Sequence, residues 1–475
     1  MNTNIHYMWR MFKKQKRIIQ GELWINAEDL VLPEGNTFYD ALNAMLHAMD
    51  FDEAARTLCM PYYKLCGPGQ PGTDPAVYFR TFLIGFFEGI SSERQIERRC
   101  ADSIMLHRFL GYSLTERVPD HTSIGLFRRK IPEEVFVQVF GMVLPALERM
   151  GLFSGKHLGL DTSVIDANAS MRSLKNRITG EKYRDYVKRL AKKAGIDPDD
   201  EAAVSRFDRT RKGRKTSNKE WENPFDPDAK IGPTKHGATR MIYKPEHLVD
   251  METGAILDAT VLPGDIADGT DVADRMMEAE WRAAEALDNG EMDLPIESLT
   301  ADKGYHSLEN LERLSEYDII PNIPDPCRNR NVGKLESASR QIIEWSRATV
   351  ASVVGKELQR ARGMYIERSF AHLLDAGGMR RTTLRGRTNI QKRYCIAALG
   401  YDIALMMVTL FGAGMPKQWA AMGLDALYSG MIRVFHAVKD RLYNIGRFLS
   451  VSCRWKPRLS PIMIGAIFAL WRVKW

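Results

Sequence analysis

The chain has 475 residues, 44% hydrophobic and 27% charged, which is enough to bury a sizeable core in more than one hydrophobic unit and excludes a disordered or collagen-like polymer. Six scattered cysteines exclude a disulfide framework, offer no CxxC pair for structural zinc, and fit a reducing cytoplasm. The net charge of +7 hides segregation: residues 246 to 301 carry 15 acids and two bases, whereas residues 356 to 393 carry ten bases and three acids. That pattern suits a polyanion held around a cation-binding centre, although ordinary solvated faces produce it too.

In chain order, residues 1 to 20 are basic without a following apolar stretch, so no secretory leader is expected. Residues 36 to 50 have apolar side chains at helical spacing with Asn36 as N-cap, and a Gly/Pro-rich loop follows at 66 to 75. Residues 76 to 90 form an apolar helix. Ser91 and Ser92 cap the next one, and Asp120 or Thr122 caps a short basic helix ending in Arg128, Arg129 and Lys130. Short helices with a basic last member outline a helix-turn-helix reader of DNA, and helices packed on a catalytic unit give the same pattern.

The stretch HLGLDTSVIDANA at 157 to 169 is β-branched and alternating, and reads as a strand. A Lys/Arg-rich insertion follows at about 171 to 235, with one helix in EKYRDYVKRLAKKAG and an exposed basic loop after it. Trp221 and Phe225 in that loop either stack on an unpaired base or anchor the loop to the sheet. MIYKPEHLVD and AILDATVLPG read as a hairpin whose turn ends in Gly254. An acidic helix at 269 to 288 precedes the strand IESLTADKGY. A helix capped by Ser307, the strand DIIPNIP and helices from about 337 to 376 complete the pattern. A hairpin followed by alternating strands and helices implies a mixed sheet with helices on its faces. The apolar stretch at 461 to 471 is shorter than the about 20 residues needed to span a bilayer.

Three acids stand where metal-assisted phosphate chemistry would need them. Asp161 interrupts an apolar strand, Asp302 ends another before Lys303, and Glu367 lies on a helix with Phe370 and Leu373 or Leu374 facing inward. Each alone has an ordinary reading, as a turn former, a cap or a surface ion-pair partner, and Asp166 competes with Asp161. His236 and His247 have no cysteine partners at metal spacing and read as structural.

Taken together, GLDTSVIDANAS, LTADKGYHS and MYIERSFAHLLDAGGMRRTTLRGR, with PDHTSIGLFRRKI upstream, resemble the motifs of bacterial insertion-sequence transposases of the DDE type. The resemblance covers about residues 50 to 410. It implies an α/β fold with a ribonuclease H-like mixed sheet flanked by helices in residues 151–410, an all-α DNA-end-binding domain in 1–150, the basic helical and loop insertion after the first strand, and a basic helical extension in 411–475. It also implies that Asp161, Asp302 and Glu367 are catalytic and bind Mg²⁺, or Mn²⁺. Arg128, Arg129, Lys130, Lys303, Arg368, Arg380, Arg381, Arg385 and Arg387 are candidate DNA contacts. The implied reaction is DNA cleavage at element ends and strand transfer into target DNA, by a homodimer in the cytoplasm, associated with the nucleoid and not with a membrane. A catalytically inactive DNA-binding protein of the same fold and a cut-only nuclease are the alternatives. One related group carries an Arg four residues before the Glu and a Lys seven after it; here those positions are Gly363 and Leu374.

Overall fold

The computed structural model describes residues 37–63, 72–113, 115–213, 216–234, 237–287, 296–327 and 336–421. The basic tail from 422 onward, residues 1 to 36, most of the Gly/Pro loop and His236 lie outside them.

The helical part comprises α1 (Thr37–Ala48), α2 (Phe51–Cys59), α3 (Pro75–Glu88), α4 (Glu93–Ala101), α5 (Ile104–Leu110), α6 (His121–Lys130), α7 (Glu133–Gly141) and α8 (Leu144–Arg149). The single helix expected across 91 to 111 is two, because Asp102 and Ser103 leave helical geometry and Ser103 Oγ accepts the Leu106 N–H of a new start. Helix α3 is apolar all round and therefore buried. Asp74 caps its start before Pro75, and Gly89 at φ 68° ends it. Its one buried charge, Arg80, donates to both Asp52 oxygens, to Asn43 Oδ1 and to the Phe109 carbonyl, so a single guanidinium ties α1, α2 and α5 together. Asp120 caps α6 as expected, its Oδ1 accepting from the Thr122 and Ser123 N–H groups. The face of α6 carrying Ile124 and Phe127 packs inward, with Phe127 stacked on Tyr78 at 4.0 Å.

The sheet begins with β1 (His157–Thr162) and β2 (Ile165–Asp166), one predicted strand broken at Ser163 and Val164. The insertion holds a two-stranded ribbon of β3 (Lys175–Asn176) and β4 (Trp221–Glu222), and two helices, α9 (Tyr183–Lys193) and α10 (Glu201–Thr210). Helix α10 lies between the expected helix and the expected basic loop, where the sequence pattern announces no element: EAAVSRFDRT starts on an Asp200 cap and buries Val204 against α9. Trp221 is buried and anchors the ribbon, whereas Phe225 is exposed. Next come β5 (Lys230–Pro233), β6 (Thr239–Asp250), β7 (Ile256–Pro263), α11 (Val272–Ala286), β8 (Ser298–Ala301), α12 (Leu308–Glu316), β9 (Ile320–Asn322), α13 (Ser337–Ala351), α14 (Val353–Phe370), α15 (Arg387–Phe411) and α16 (Pro416–Ala421).

The principal sheet runs β7-β6-β1-β8-β9, with β6 antiparallel to β7 and β1, and β1, β8 and β9 mutually parallel. This is the mixed, ribonuclease H-like order that the sequence motifs imply. The first half of the long β6 is flanked instead by β2 and β5. The β6–β7 turn closes on Gly254 at φ 83°, as its sequence predicts.

One continuous hydrophobic core runs from Phe38 to Trp419 and includes both the N-terminal helices and the sheet. Helix α15 is long and apolar enough to cross a membrane, but it is buried between β7 and helices α3 and α7. Gly400 allows that approach, since a Cβ there would sit 2.5 Å from Phe86.

Candidate active site

Asp161 and Asp302 meet because β1 and β8 are parallel neighbours. Leu160 pairs with Ala301, so the next residue on each strand carries its carboxylate out at the same end of the sheet, on backbones about 4.8 Å apart. Each Oδ1 accepts the following backbone N–H, Thr162 for Asp161 and Lys303 for Asp302, both at 2.8 Å. Asp166 lies beyond the strand break and pairs with Arg240, away from this pair.

Helix α14 crosses the strands above the two aspartates. Gln359 donates to the Ala301 and Asn322 carbonyls, Arg362 Nη1 donates to Asp161 Oδ2 at 2.8 Å, and Ser369 Oγ meets His247 Nδ1 at 2.7 Å. Ile366, Phe370, Leu373 and Leu374 are buried, as their spacing predicts. Tyr365 and Arg368 lie against Gly254 in the β6–β7 turn, at the opposite end of β1 from Asp161. Helical periodicity therefore puts Gly363 and Glu367 on the flank facing the strand ends where the aspartates sit. Glu367 itself is exposed.

Burial raises the proton affinity of the Asp161 carboxyl; the Arg362 guanidinium opposes this and the neighbouring Asp302 adds to it. Its negative charge is thus only partly offset. Hard carboxylate oxygens in that state suit Mg²⁺ or Mn²⁺, so the two aspartates fit a divalent cation chemically. Among the described residues, however, no group of three or more His, Cys, Asp or Glu side chains converges closely enough to ligate a metal. The fold brings two acids together and leaves the third on the adjoining helix flank.

Behind the aspartates, on the other face of β6, Glu246 is buried against Arg275, which donates to both of its oxygens. Burial pushes its carboxyl up to about 7, against the pull of Arg275. Between about pH 4.5 and 7 the folded protein then holds a proton that the unfolded chain has released, so stability falls as pH rises through that window. Relative to Glu246→Gln, the native protein should lose up to about 3 kcal/mol across it in urea denaturation; parallel pH profiles would show the group ionised throughout. On the face toward α14, His247 is fully buried between Ser369 and Tyr394. Burial lowers it to about 3, so it is a neutral strut that pins α14 and α15 to β6.

The basic candidates divide sharply. Arg128 is buried, ion-paired with Glu93 and bonded to Asn389, so its charge is spent inside the fold, a correction to its reading as a DNA contact. Arg387 is held by both Glu133 oxygens, Arg380 by both Asp375 oxygens, and Arg368 lies over the Tyr365 ring. Lys130 sits over the Tyr63 ring at 3.5 Å. Arg129 and Lys303 are exposed, and Arg381 and Arg385 line a cleft beside β2. The Arg362–Asp161 pair was legible only as helix spacing, since Gln359, Arg362 and Ile366 recur at one-turn intervals.

Two family models match the chain: a transposase domain (DUF772) over residues 27–130 and a transposase DDE domain over residues 205–403. The second spans Asp302 and Glu367 but begins after Asp161. Among solved structures, the chain is similar at 10% identity to the Mos1 transposase paired-end complex with left transposon end, covering 73% of this chain and 99% of that one with a TM-score of 0.18. A pre-cleavage Mos1 transpososome (9%, TM-score 0.19) and the Mos1 mariner paired-end complex with Mn (10%, 0.18) match with the same coverage. No curated protein matches.

Proposed function

Since the chain belongs to the insertion-sequence DDE transposases, we propose that it cleaves DNA at the ends of its element and joins the freed ends to target DNA, with Asp161, Asp302 and Glu367 as its catalytic acids. The observation that carries this reading is the placement of Asp161 and Asp302 on adjacent parallel strand ends beneath the helix that bears Glu367. Enzymes of this family use divalent metals, and a cation here would be held by Asp161 and Asp302 with Glu367 as third ligand. When bound, it supplies a lowered water pKa and stabilisation of the leaving oxygen.

The chain's own residues supply the rest. The Asp161 and Asp302 backbones are fixed by the sheet, so their carboxylates present a rigid platform to the scissile phosphate. Arg362 partly offsets the Asp161 charge and can turn toward a DNA phosphate once that charge is met otherwise. Lys303, exposed directly after Asp302, is placed to hold a phosphate oxygen. Phosphate contacts of this kind make affinity fall steeply with salt. The helices at 37–149 would read element ends, and a homodimer would hold two ends together.

The test uses labelled terminal-repeat DNA, Mg²⁺ and a supercoiled target. Joined product supports the reading. Cut product that never joins indicates a nuclease, and binding without any cutting indicates an inactive DNA-binding protein.

A further inference from the structure

We propose that the cleft beside β2 is a subsite for one unpaired nucleotide of the DNA, with its base stacked on Phe225 and its phosphate held by Arg381 and Arg385. The proposal deepens the transposase reading and rests on it. The cleft has a volume of about 610 Å³, within the roughly 300–1,000 Å³ of small-ligand sites. Phe225 lies on its wall with 62% of its surface exposed.

A lone exposed phenylalanine is unremarkable on a protein surface; the way this one is held is not. On one side, the fully buried Asn223 donates from Nδ2 to the Ser170 carbonyl and accepts the Phe225 N–H at 3.0 Å. On the other, the buried Asp226 accepts from Tyr243 Oη at 2.6 Å and from the Gly386 N–H at 3.0 Å. Two buried polar anchors thus fix the backbone at both ends of a residue whose ring faces water. The ring is presented without the entropy loss that a mobile loop would suffer on binding.

The charge beside it points to the ligand. The Arg385 guanidinium lies 5.6 Å from the ring centroid, and Arg381 shares the cleft wall. Arg240 is there too, but its charge is met by Asp166. Among the described residues neither Arg381 nor Arg385 pairs with a carboxylate, so the cleft is net positive around an aromatic face. A rigid π-surface with adjacent guanidinium groups matches a nucleobase and its phosphate. Bases inside a duplex have both faces covered by their neighbours, so only an unstacked one can use the ring. Asp166, on the cleft wall, is five residues from Asp161, at most about 17 Å along the chain. A single-stranded segment leaving the aspartates is within reach.

The experiment measures binding of the full chain, by fluorescence anisotropy, to a blunt duplex and to the same duplex with a three-nucleotide single-stranded 3′ extension. The extension should tighten binding by the native protein, and Phe225→Ala should remove that gain, roughly five- to a hundredfold. Blunt-duplex affinity should be unchanged. Phe225→Trp should keep the gain, and Arg381→Ala should lower the salt slope for the extended duplex by about 0.7. The ring is exposed, so an unchanged melting temperature of Phe225→Ala confirms that the loss is local. If Phe225→Ala binds the extended duplex as tightly as the native protein, the subsite is wrong while the transposase reading stands. If the native protein binds neither duplex, both fall.

Discussion

Asp302→Asn should lower cleavage of terminal-repeat DNA by about a thousandfold or more, equivalent to about 4 kcal/mol of transition-state stabilisation. The substitution is chosen because asparagine keeps the oxygen that accepts the Lys303 N–H, so the turn after β8 survives. What disappears is one negative charge beside Asp161. Because Asp302 helps to raise the Asp161 carboxyl, its removal eases a repulsion, and the melting temperature should hold or rise slightly. Activity and stability would then move in opposite directions, which a merely misfolded variant does not do. Gel assays of cleavage alongside thermal melts read both. Cleavage at the native rate would remove Asp302 from the chemistry. Glu367→Gln belongs in the same assay, because Glu367 is the proposed third acid and lies exposed on the helix flank.

The largest effect on stability should come from Asp250, at the end of β6. Its buried carboxylate accepts from the Ser154 and Gly155 N–H groups and Ser154 Oγ on the approach to β1, and from the Glu252 and Thr253 N–H groups in the β6–β7 turn. Alanine would leave four backbone donors and a hydroxyl without the fully buried acceptor on which they converge. We expect a loss of about 3–5 kcal/mol in urea denaturation, with Asp250→Asn losing less because one acceptor oxygen remains. A change below about 1 kcal/mol would mean that water reaches those donors readily.

Much of this was legible in the sequence for identifiable reasons. The β6–β7 hairpin was announced by two apolar runs around a Gly-terminated turn, and α6 by the Asp120 cap. The two aspartates stood out because a charge at the end of an apolar strand needs a reason. Periodicity could not report that β1 and β8 are neighbours, since that pairing joins residues about 140 apart and arises from tertiary packing. Helix α10 escaped because its polar composition resembles a loop, and only the Asp200 cap and Val204 betray it. The basic residues were the least legible. A run such as Arg128-Arg129-Lys130 looks uniform on paper, yet the helix turns Arg128 inward to Glu93 and leaves Arg129 in water. Charge counts describe composition, and partners decide which charges remain for DNA.

The helices before β1 and the sheet share a single apolar interior, and this limits how the protein can communicate. Modules joined by a tether can swing independently, recognising DNA in one place and reacting in another. Here a displacement of α6 must be accommodated by Phe127 on Tyr78, and through α3 and α15 by the strand that abuts β6. If the proposed function holds, grip on an element end and alignment of the aspartates are mechanically one event, and exchanging the helices at 37–149 for those of a relative is expected to disturb the strand ends that carry Asp161 and Asp302.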